Sequence, residues 1–248
     1  MSSISFMPLN LRFQTMGMKK TGLLILVCLS IIITYSQTVA KANSIQRPKL
    51  VIGIVVDQMR WDYLYRYYDR YGDGGFKRLI KDGFSCENTM ISHLPSFTAV
   101  GHATIYTGSV PAIDGIAGND WTEQLTGKVT YCTADSTVQP LGNPNAIDGH
   151  MSPRNLLVST ITDELRLATN FQSKVVGVSL KDRAAILPAG HAANAAFWLD
   201  DASGRFITST YYMDRLPDWA EKYNNDKNEK KMLPPPPLAL YNYVWENI

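Results

Sequence analysis

The sequence predicts an α/β fold in which a mostly parallel central sheet is flanked by helices. The first observation is the run Lys49–Asp57, which is almost continuously apolar and rich in β-branched residues. Such a run is typical of a strand buried on both faces of a parallel sheet. The second is that strand patterns alternate with helical patterns along the chain. The third is composition: of 248 residues, 45% are hydrophobic and 19% charged, which excludes a disordered chain, a collagen-like repeat and a coiled coil.

The individual elements follow from local patterns. Strands are predicted where β-branched and aromatic residues cluster, at Lys49–Asp57, Phe84–Ile91, Lys174–Leu180, Phe197–Asp200 and Arg205–Tyr211. The last two are separated by Asp201–Gly204, a turn sequence that predicts a hairpin. Helices are predicted where apolar residues have helical spacing and glycine or proline lies near an end, at Gly74–Asp82, Thr98–Thr107 and Ser152–Ala168.

Residues 1–42 have the pattern of a targeting segment. Lys19 and Lys20 precede an apolar run, Gly22–Ile33, and an Ala-x-Ala ending follows at residues 40–42. This order is typical of a secretory signal peptide, so we interpret 1–42 as an upstream extension with the signal at about 18–42. The apolar run is shorter than the roughly 20 residues of a membrane span. We therefore expect a periplasmic or secreted protein without a stable membrane anchor after cleavage; an uncleaved anchor is the alternative.

Charge and cysteine content restrict the partners of residues 43–248. This part contains 20 basic and 22 acidic residues, a net charge of −2, so it lacks the electrostatic footprint of a nucleic-acid-binding protein. We expect no nucleic-acid partner.

Cleavage leaves Cys86 and Cys132, which an oxidising compartment would permit to form a disulfide. They do not have the paired spacing of a structural zinc site.

Two candidate functional residues lie at predicted element ends. Asp57 ends the first strand, and in open α/β sheets ligands bind outside the carboxyl ends of the strands. Thr98 begins a predicted helix, whose free N–H groups and dipole attract phosphate or another anion, and its hydroxyl could act as a nucleophile. Simpler interpretations exist: Asp57 as a turn residue, and Ser96 or Thr98 as an N-cap.

Three further polar residues could bind an oxyanion. Asn119 lies in a glycine-containing polar stretch, where its amide could donate to a substrate oxygen or simply form a turn. Lys181 and Arg183 follow the strand Lys174–Leu180 and could grip phosphate oxygens, or form a solvated loop with an ion pair to Asp182. The four histidines make no metal-binding cluster in the sequence. Each is interpreted as a structural or surface residue: His93, His102, His150 and His191.

Four motifs that contain these residues follow one another along the chain. They are Val-Val-Asp57-Gln-Met-Arg-Trp-Asp62, Leu-Pro-Ser-Phe-Thr98-Ala-Val-Gly-His102, Gly-Ile-Ala-Gly-Asn119-Asp-Trp121 and Ser-Leu-Lys181-Asp-Arg183. From about Lys49 onward the chain resembles the alkaline phosphatase superfamily. It is most similar to the phosphate-irrepressible, threonine-nucleophile alkaline phosphatases of the type I phosphodiesterase/nucleotide pyrophosphatase group. The order of four motifs is far more specific than any one of them.

The resemblance implies a site and a reaction. Two zinc ions would lie at the strand ends, with Asp57 and Thr98 among their ligands. Thr98 would attack phosphorus in line to form a phosphothreonine, which water would then hydrolyse. Asn119, Lys181 and Arg183 would bind the non-bridging oxygens. Because a monoester dianion needs more positive charge than a diester monoanion, the Lys181 and Arg183 pair favours small phosphate monoesters as substrates.

The chain departs from the family in length. Enzymes of this family are longer, and their remaining zinc ligands lie in their C-terminal portion. A catalytic zinc takes three protein ligands, which Asp57 and Thr98 alone cannot provide. We therefore expect residues 43–248 to be the N-terminal part of an alkaline phosphatase-like domain, truncated at its C-terminus and inactive alone. Two alternatives stay open: a nucleotide phosphodiesterase of the same superfamily, and a non-catalytic anion-binding remnant. A sulfatase and a dinucleotide-binding enzyme are disfavoured because their motifs are missing.

Overall fold

A computed structural model describes residues 26, 28–30 and 48–226. The chain divides into two units, Met1–Ile54 and Val55–Ile248. In the first, the described residues are helical at 26 and 28–30 and have no regular secondary structure at 48–54. Most of the predicted signal peptide lies outside the described residues. Of the helices that the structure describes, none combines the length and apolar character needed to cross a bilayer.

The described part of the second unit, residues 55–226, contains a four-stranded sheet and a separate two-stranded hairpin. The strands are β1 (Asp120–Thr122), β2 (Val129–Tyr131), β3 (Pro140–Leu141), β4 (Val176–Val178), β5 (Ala195–Leu199) and β6 (Phe206–Ser209). The hairpin pairs β1 with β2, and the larger sheet has the order β3-β6-β5-β4. The helices are α1 (Tyr63–Arg66), α2 (Phe76–Asp82), α3 (Thr98–Thr107), α4 (Pro111–Asp114), α5 (Ile161–Ala168), α6 (Asp182–Ala189) and α7 (Asp218–Asn225). Single 3₁₀ turns lie at Tyr68–Arg70, Ile147–Gly149 and Pro153–Asn155.

The α/β class with a helix-flanked sheet is confirmed, but the described sheet is mixed rather than mostly parallel. Strands β4 and β5 are parallel, whereas β5 with β6 and β3 with β6 are antiparallel. The parallel pair arises because α6 carries the chain from the end of β4 back to the start of β5, which is a βαβ crossover. The antiparallel pair arises because the predicted turn at Asp201–Gly204, with Gly204 at φ 64°, reverses the chain at once.

Two predicted strands are wrong for the described residues. Residues 49–56 and 84–91 contain no strand. Their apolar side chains are exposed, Ile54 at 77% and Phe84 at 92%. A β-branched run becomes a strand only where neighbouring backbone pairs with it and other elements cover its faces. The described residues provide neither for these two segments.

The helix predictions are confirmed to different degrees. Helix α3 begins and ends as predicted, with Gly108 in the left-handed conformation after it, and α2 begins two residues later than predicted. The single helix predicted over Ser152–Ala168 is instead a 3₁₀ turn followed by α5. The break occurs because Thr160 and Asp163 form a reciprocal capping box, which starts a new helix at Ile161.

Helix α6 connects two apolar clusters and so fixes α3 relative to the sheet. Ile186 of α6 packs with Trp198 and Ile207 on the sheet. Its neighbour Leu187 packs with Ala99 and other side chains on and around α3. As a result, the start of α3 is held by the core although the residues just before it are exposed.

The cysteines are free thiols. Cys132 is fully buried in the second cluster, whereas Cys86 is exposed. Burial is the main reason that the pKa of Cys132 rises to about 12. The Cys86–Cys132 disulfide that the sequence left open is therefore not formed.

Candidate functional site

Asp57 and Thr98 are directly hydrogen-bonded. Asp57 lies in a turn in which Gln58 adopts φ 58° and donates its backbone N–H to Asp57 Oδ1 at 3.0 Å. The other carboxylate oxygen, Oδ2, accepts from the Thr98 hydroxyl at 2.9 Å. Thr98 is the first residue of α3, and the helix has no side-chain cap from its N-cap residue, Phe97. The hydroxyl of Thr98 is thus directed to a carboxylate instead of serving as an N-cap.

Asn119 lies against the same end of α3. Its Oδ1 accepts from the backbone N–H of Ala99 at 3.0 Å, which satisfies one of the free donors of the first helical turn. Because the oxygen end of the amide is engaged, the Nδ2 end is the one left to donate to a ligand. Thr98, Asp57 and Asn119, predicted from three separate motifs, are therefore brought together.

Lys181 and Arg183 flank the start of α6 and have different partners. The Lys181 ammonium forms an ion pair with Asp201, and its side chain is 42% exposed. Arg183 is half-buried, and its Nη1 donates to the hydroxyl of Tyr131 at 2.7 Å. Neither cation forms the simple loop ion pair with Asp182 that was one interpretation of the sequence.

A buried hydrogen-bond network behind Arg183 was missed by the sequence analysis. Asp182 is 3% exposed; it accepts from the Tyr131 hydroxyl at 3.0 Å and from the hydroxyl of Thr133. Burial raises the pKa of Asp182, against the effect of these bonds. Burial and then Asp182 also raise the pKa of Tyr131 well above its ordinary value. No local signal pointed to Tyr131, which precedes Arg183 by 52 positions.

His102 was interpreted as structural, and it lies one helical turn beyond Thr98 in α3. It is 5% exposed, and neither ring nitrogen has a hydrogen-bond partner among the described residues. Burial lowers the pKa of His102; the carboxylate of Asp57 opposes this shift and Arg183 adds to it. Asp57 and Arg183 thus act on the pKa of His102 in opposite directions.

The donors at this site fit part of a zinc centre. A carboxylate and a hydroxyl oxygen lie 2.9 Å apart, and carboxylate oxygen is an ordinary zinc ligand. In the described ranges, no group of three or more histidine, cysteine, aspartate or glutamate side chains could hold a metal ion. Asp57 and Thr98 thus offer two candidate donors among the described residues, fewer than the three protein ligands of a catalytic zinc.

Comparison with known proteins places this geometry in a family context. A family model described as type I phosphodiesterase/nucleotide pyrophosphatase matches residues 51–238. Alkaline phosphatase PafA of Elizabethkingia meningoseptica is 62% identical over 185 residues, which are 75% of this chain and 34% of PafA. A Myroides odoratus protein named calcium-transporting ATPase is 58% identical over 212 residues, 86% of this chain and 38% of that protein. The chain thus spans little more than a third of the length of these relatives.

Solved structures give the same relationship. The crystal structure of wild-type PafA has a TM-score of 0.72 at 62% identity and covers 74% of this chain and 35% of that one. A second PafA structure, also with a TM-score of 0.72, has 60% identity and the same coverage. It carries one threonine replaced by serine, and an asparagine, a lysine and an arginine replaced by alanine.

Proposed function

The chain belongs to the type I phosphodiesterase/nucleotide pyrophosphatase family, within the alkaline phosphatase superfamily, and from this premise we propose that it contributes the threonine half of a zinc-dependent phosphomonoesterase site. The observation that carries the proposal is the hydrogen bond between Thr98 and Asp57 at the N-terminus of α3. Beside it, the side chain of Asn119 accepts from the backbone N–H of Ala99. It joins a nucleophile, a carboxylate and an anion-attracting helix end in one place.

Thr98 is the proposed nucleophile. Its oxygen attacks phosphorus, the bond to the leaving oxygen breaks, and the hydroxyl proton ends on the alcohol that leaves. Water then attacks the phosphorus of phosphorylated Thr98, which releases inorganic phosphate and restores the hydroxyl. Asp57 holds the hydroxyl of Thr98 in one orientation before the attack, because Oδ2 accepts a hydrogen bond from it at 2.9 Å. The N-terminus of α3 favours the negative charge that gathers on the phosphoryl oxygens.

Asn119, Lys181 and Arg183 are the proposed phosphoryl ligands. Their spacing supports this role. The threonine, asparagine, lysine and arginine replaced in the PafA variant are separated by 21, 62 and 2 positions, as are Thr98, Asn119, Lys181 and Arg183. Two cations suit the dianion of a small phosphate monoester.

Zinc is the proposed cofactor, with two ions in the complete site. Asp57 and Thr98 would be the ligands from this chain. When bound, zinc would act as a Lewis acid that lowers the cost of deprotonating the nucleophile. Since the described residues offer two donors, fewer than a catalytic zinc takes, we propose that residues 43–248 alone do not turn over substrate. We also propose export to the periplasm or medium, directed by the segment at about 18–42.

A nucleotide phosphodiesterase is the second candidate, and one contact favours it. Lys181 is paired with Asp201, and a lysine neutralised in this way would leave Arg183 as the one of the two cations without a direct ion pair among the described residues. One cation matches a diester monoanion better than a monoester dianion. Substrate preference therefore decides between the two reactions.

The test is a chimera in which this chain replaces the segment of Elizabethkingia PafA that it matches. We expect a higher kcat/KM for an aryl phosphate monoester than for an aryl diester. Thr98→Ala should lower kcat/KM by at least about 1000-fold, whereas Thr98→Ser should retain part of the activity because a hydroxyl remains. Thr126→Ala, in the exposed turn between β1 and β2, is the matched control and should leave the rate unchanged.

Three outcomes would contradict these proposals. A preference for the diester would replace the monoesterase by the phosphodiesterase. Undiminished turnover by Thr98→Ala would remove Thr98 as nucleophile. Zinc-dependent turnover by purified residues 43–248 without the rest of PafA would show that the chain supplies a complete site.

A further inference from the structure

We infer that Tyr131 is a positioning residue for Arg183, fixing the guanidinium so that one edge faces a phosphoryl ligand. The inference rests on the proposed role of Arg183 in phosphoryl binding and adds to it a residue that none of the sequence motifs contains. Tyr131 ends strand β2, and it touches Arg183 through a single strong hydrogen bond.

The hydrogen bonds at the phenol have a defined direction. The Tyr131 hydroxyl has one proton, which it donates to Asp182 Oδ1 at 3.0 Å. It therefore accepts at its oxygen, and Arg183 Nη1 donates to it at 2.7 Å. Asp182 is in turn held by the hydroxyl of Thr133. The order Arg183 to Tyr131 to Asp182 gives the arginine an acceptor whose position is fixed by a buried carboxylate.

This contact determines which donors of Arg183 stay available. A guanidinium presents two donor pairs to an oxyanion, Nη1 with Nη2 at its end and Nε with Nη2 along its side. The bond from Nη1 to Tyr131 uses one of the two N–H groups of that nitrogen and leaves the side pair, Nε with Nη2, unaffected. Nε is buried and has no acceptor among the described residues. A phosphate with two oxygens on Nε and Nη2 would satisfy that donor.

The strand pair that holds Tyr131 also holds Asn119. In the β1–β2 hairpin, Tyr131 lies opposite Asp120, and the backbone N–H of Cys132 donates to the carbonyl of Asn119 at 2.9 Å. The side chain of Asn155 donates to the carbonyls of both Tyr131 and Cys132 at 3.2 Å. One hairpin therefore sets the position of Asn119 directly and of Arg183 through Tyr131.

The experiment is a double-mutant cycle on the full chain, with inorganic phosphate as the probe. Phosphate is titrated against the unmodified protein, Tyr131→Phe, Arg183→Ala and the double variant, and followed by NMR on side-chain and backbone N–H groups. We expect Tyr131→Phe to weaken phosphate binding by about tenfold when Arg183 is present. We expect no further weakening when Arg183 is already alanine. Tyr65→Phe, on the half-exposed face of α1, is the matched control.

A measurement on the unmodified protein tests the inference even if a variant does not fold. With Nη1 bound to a fixed phenol, rotation about the Cζ–Nη1 bond of Arg183 should be hindered, and separate Nη signals should be resolved. A freely rotating guanidinium would overturn the inference. So would equal weakening by Tyr131→Phe in both Arg183 backgrounds, no weakening at all, or the absence of any phosphate-dependent change at Arg183.

Failure of this inference differs from failure of the proposed function. If the PafA chimera has no threonine-dependent turnover but the phosphate cycle shows coupling, the enzyme proposal fails and the positioning role stands. If the chimera is active and the cycle shows no coupling, Arg183 is positioned by other means and only the role of Tyr131 is lost.

Discussion

Asp135 shows how one buried carboxylate contributes to stability in this fold. It is 6% exposed, and it accepts hydrogen bonds from the hydroxyls of Ser152 and Thr137 at 2.6 Å each. Burial raises the pKa of Asp135, but these bonds and a contact from Arg154 outweigh it and hold the pKa at about 2. Because the folded pKa lies below the unfolded one, the ionised group stabilises the native state.

The resulting prediction concerns acid stability. The contribution of Asp135 is fully present above its unfolded pKa, near 4, and is lost as the pH falls towards 2. We expect Asp135→Asn to lower the free energy of unfolding by about 2 kcal/mol at pH 7, with the difference from wild type vanishing near pH 2. Urea unfolding between pH 2 and 7 measures it, with the exposed Asp73→Asn as control. A difference that does not change with pH would contradict this account.

At the scale of elements, the packing of α6 on β4 depends on one glycine. A Cβ added to Gly177 would lie 2.2 Å from the backbone oxygen of Ala185 and 3.0 Å from Ala189 Cβ. A Cβ on Gly101, inside α3, would have no atom of the described residues within 4 Å apart from its chain neighbours and the backbone of its own helix. The same substitution should therefore have opposite effects at the two positions.

We expect Gly177→Ala to lower the free energy of unfolding by about 1–3 kcal/mol, because strand and helix must separate to admit the methyl group. Gly101→Ala should raise it by about 0.5–1 kcal/mol, because alanine is the better helix former. Chemical denaturation of both variants provides the comparison. Wild-type stability in Gly177→Ala would mean that the β4–α6 contact is looser than described.

A structural feature could be predicted from the sequence when the residues that determine it lie close together in the chain. The C-terminal end of α3 was predictable because Gly108 and the proline of α4 follow it in the chain. The strand predicted at Lys49–Asp57 failed because strand formation needs a partner, and no nearby residue reveals whether one is present. The same holds for the candidate site. Local motifs predicted Asp57, Thr98 and Asn119, which the fold brings into contact, whereas Tyr131 contacts Arg183 from 52 positions away in the sequence.

At the scale of the whole molecule, β4 forms an edge of the sheet at which the described residues provide no further strand. Strand β4 is the last strand in the order β3-β6-β5-β4. Val176, Val178 and Leu180, on and just after β4, are 57%, 59% and 63% exposed. Unpaired backbone beside exposed β-branched side chains is a template for pairing with another chain.

We therefore expect the purified chain to self-associate as its concentration rises. A lysine on the open strand, Val178→Lys, should reduce this association, because a charge at an edge opposes strand pairing. It should do so without lowering the melting temperature, since Val178 is already largely exposed. Sedimentation velocity over a range of concentrations measures the effect. Thr126→Lys adds the same charge in the β1–β2 turn and should leave association unchanged. If both variants reduced association equally, the reduction would be due to net charge and not to the edge of β4.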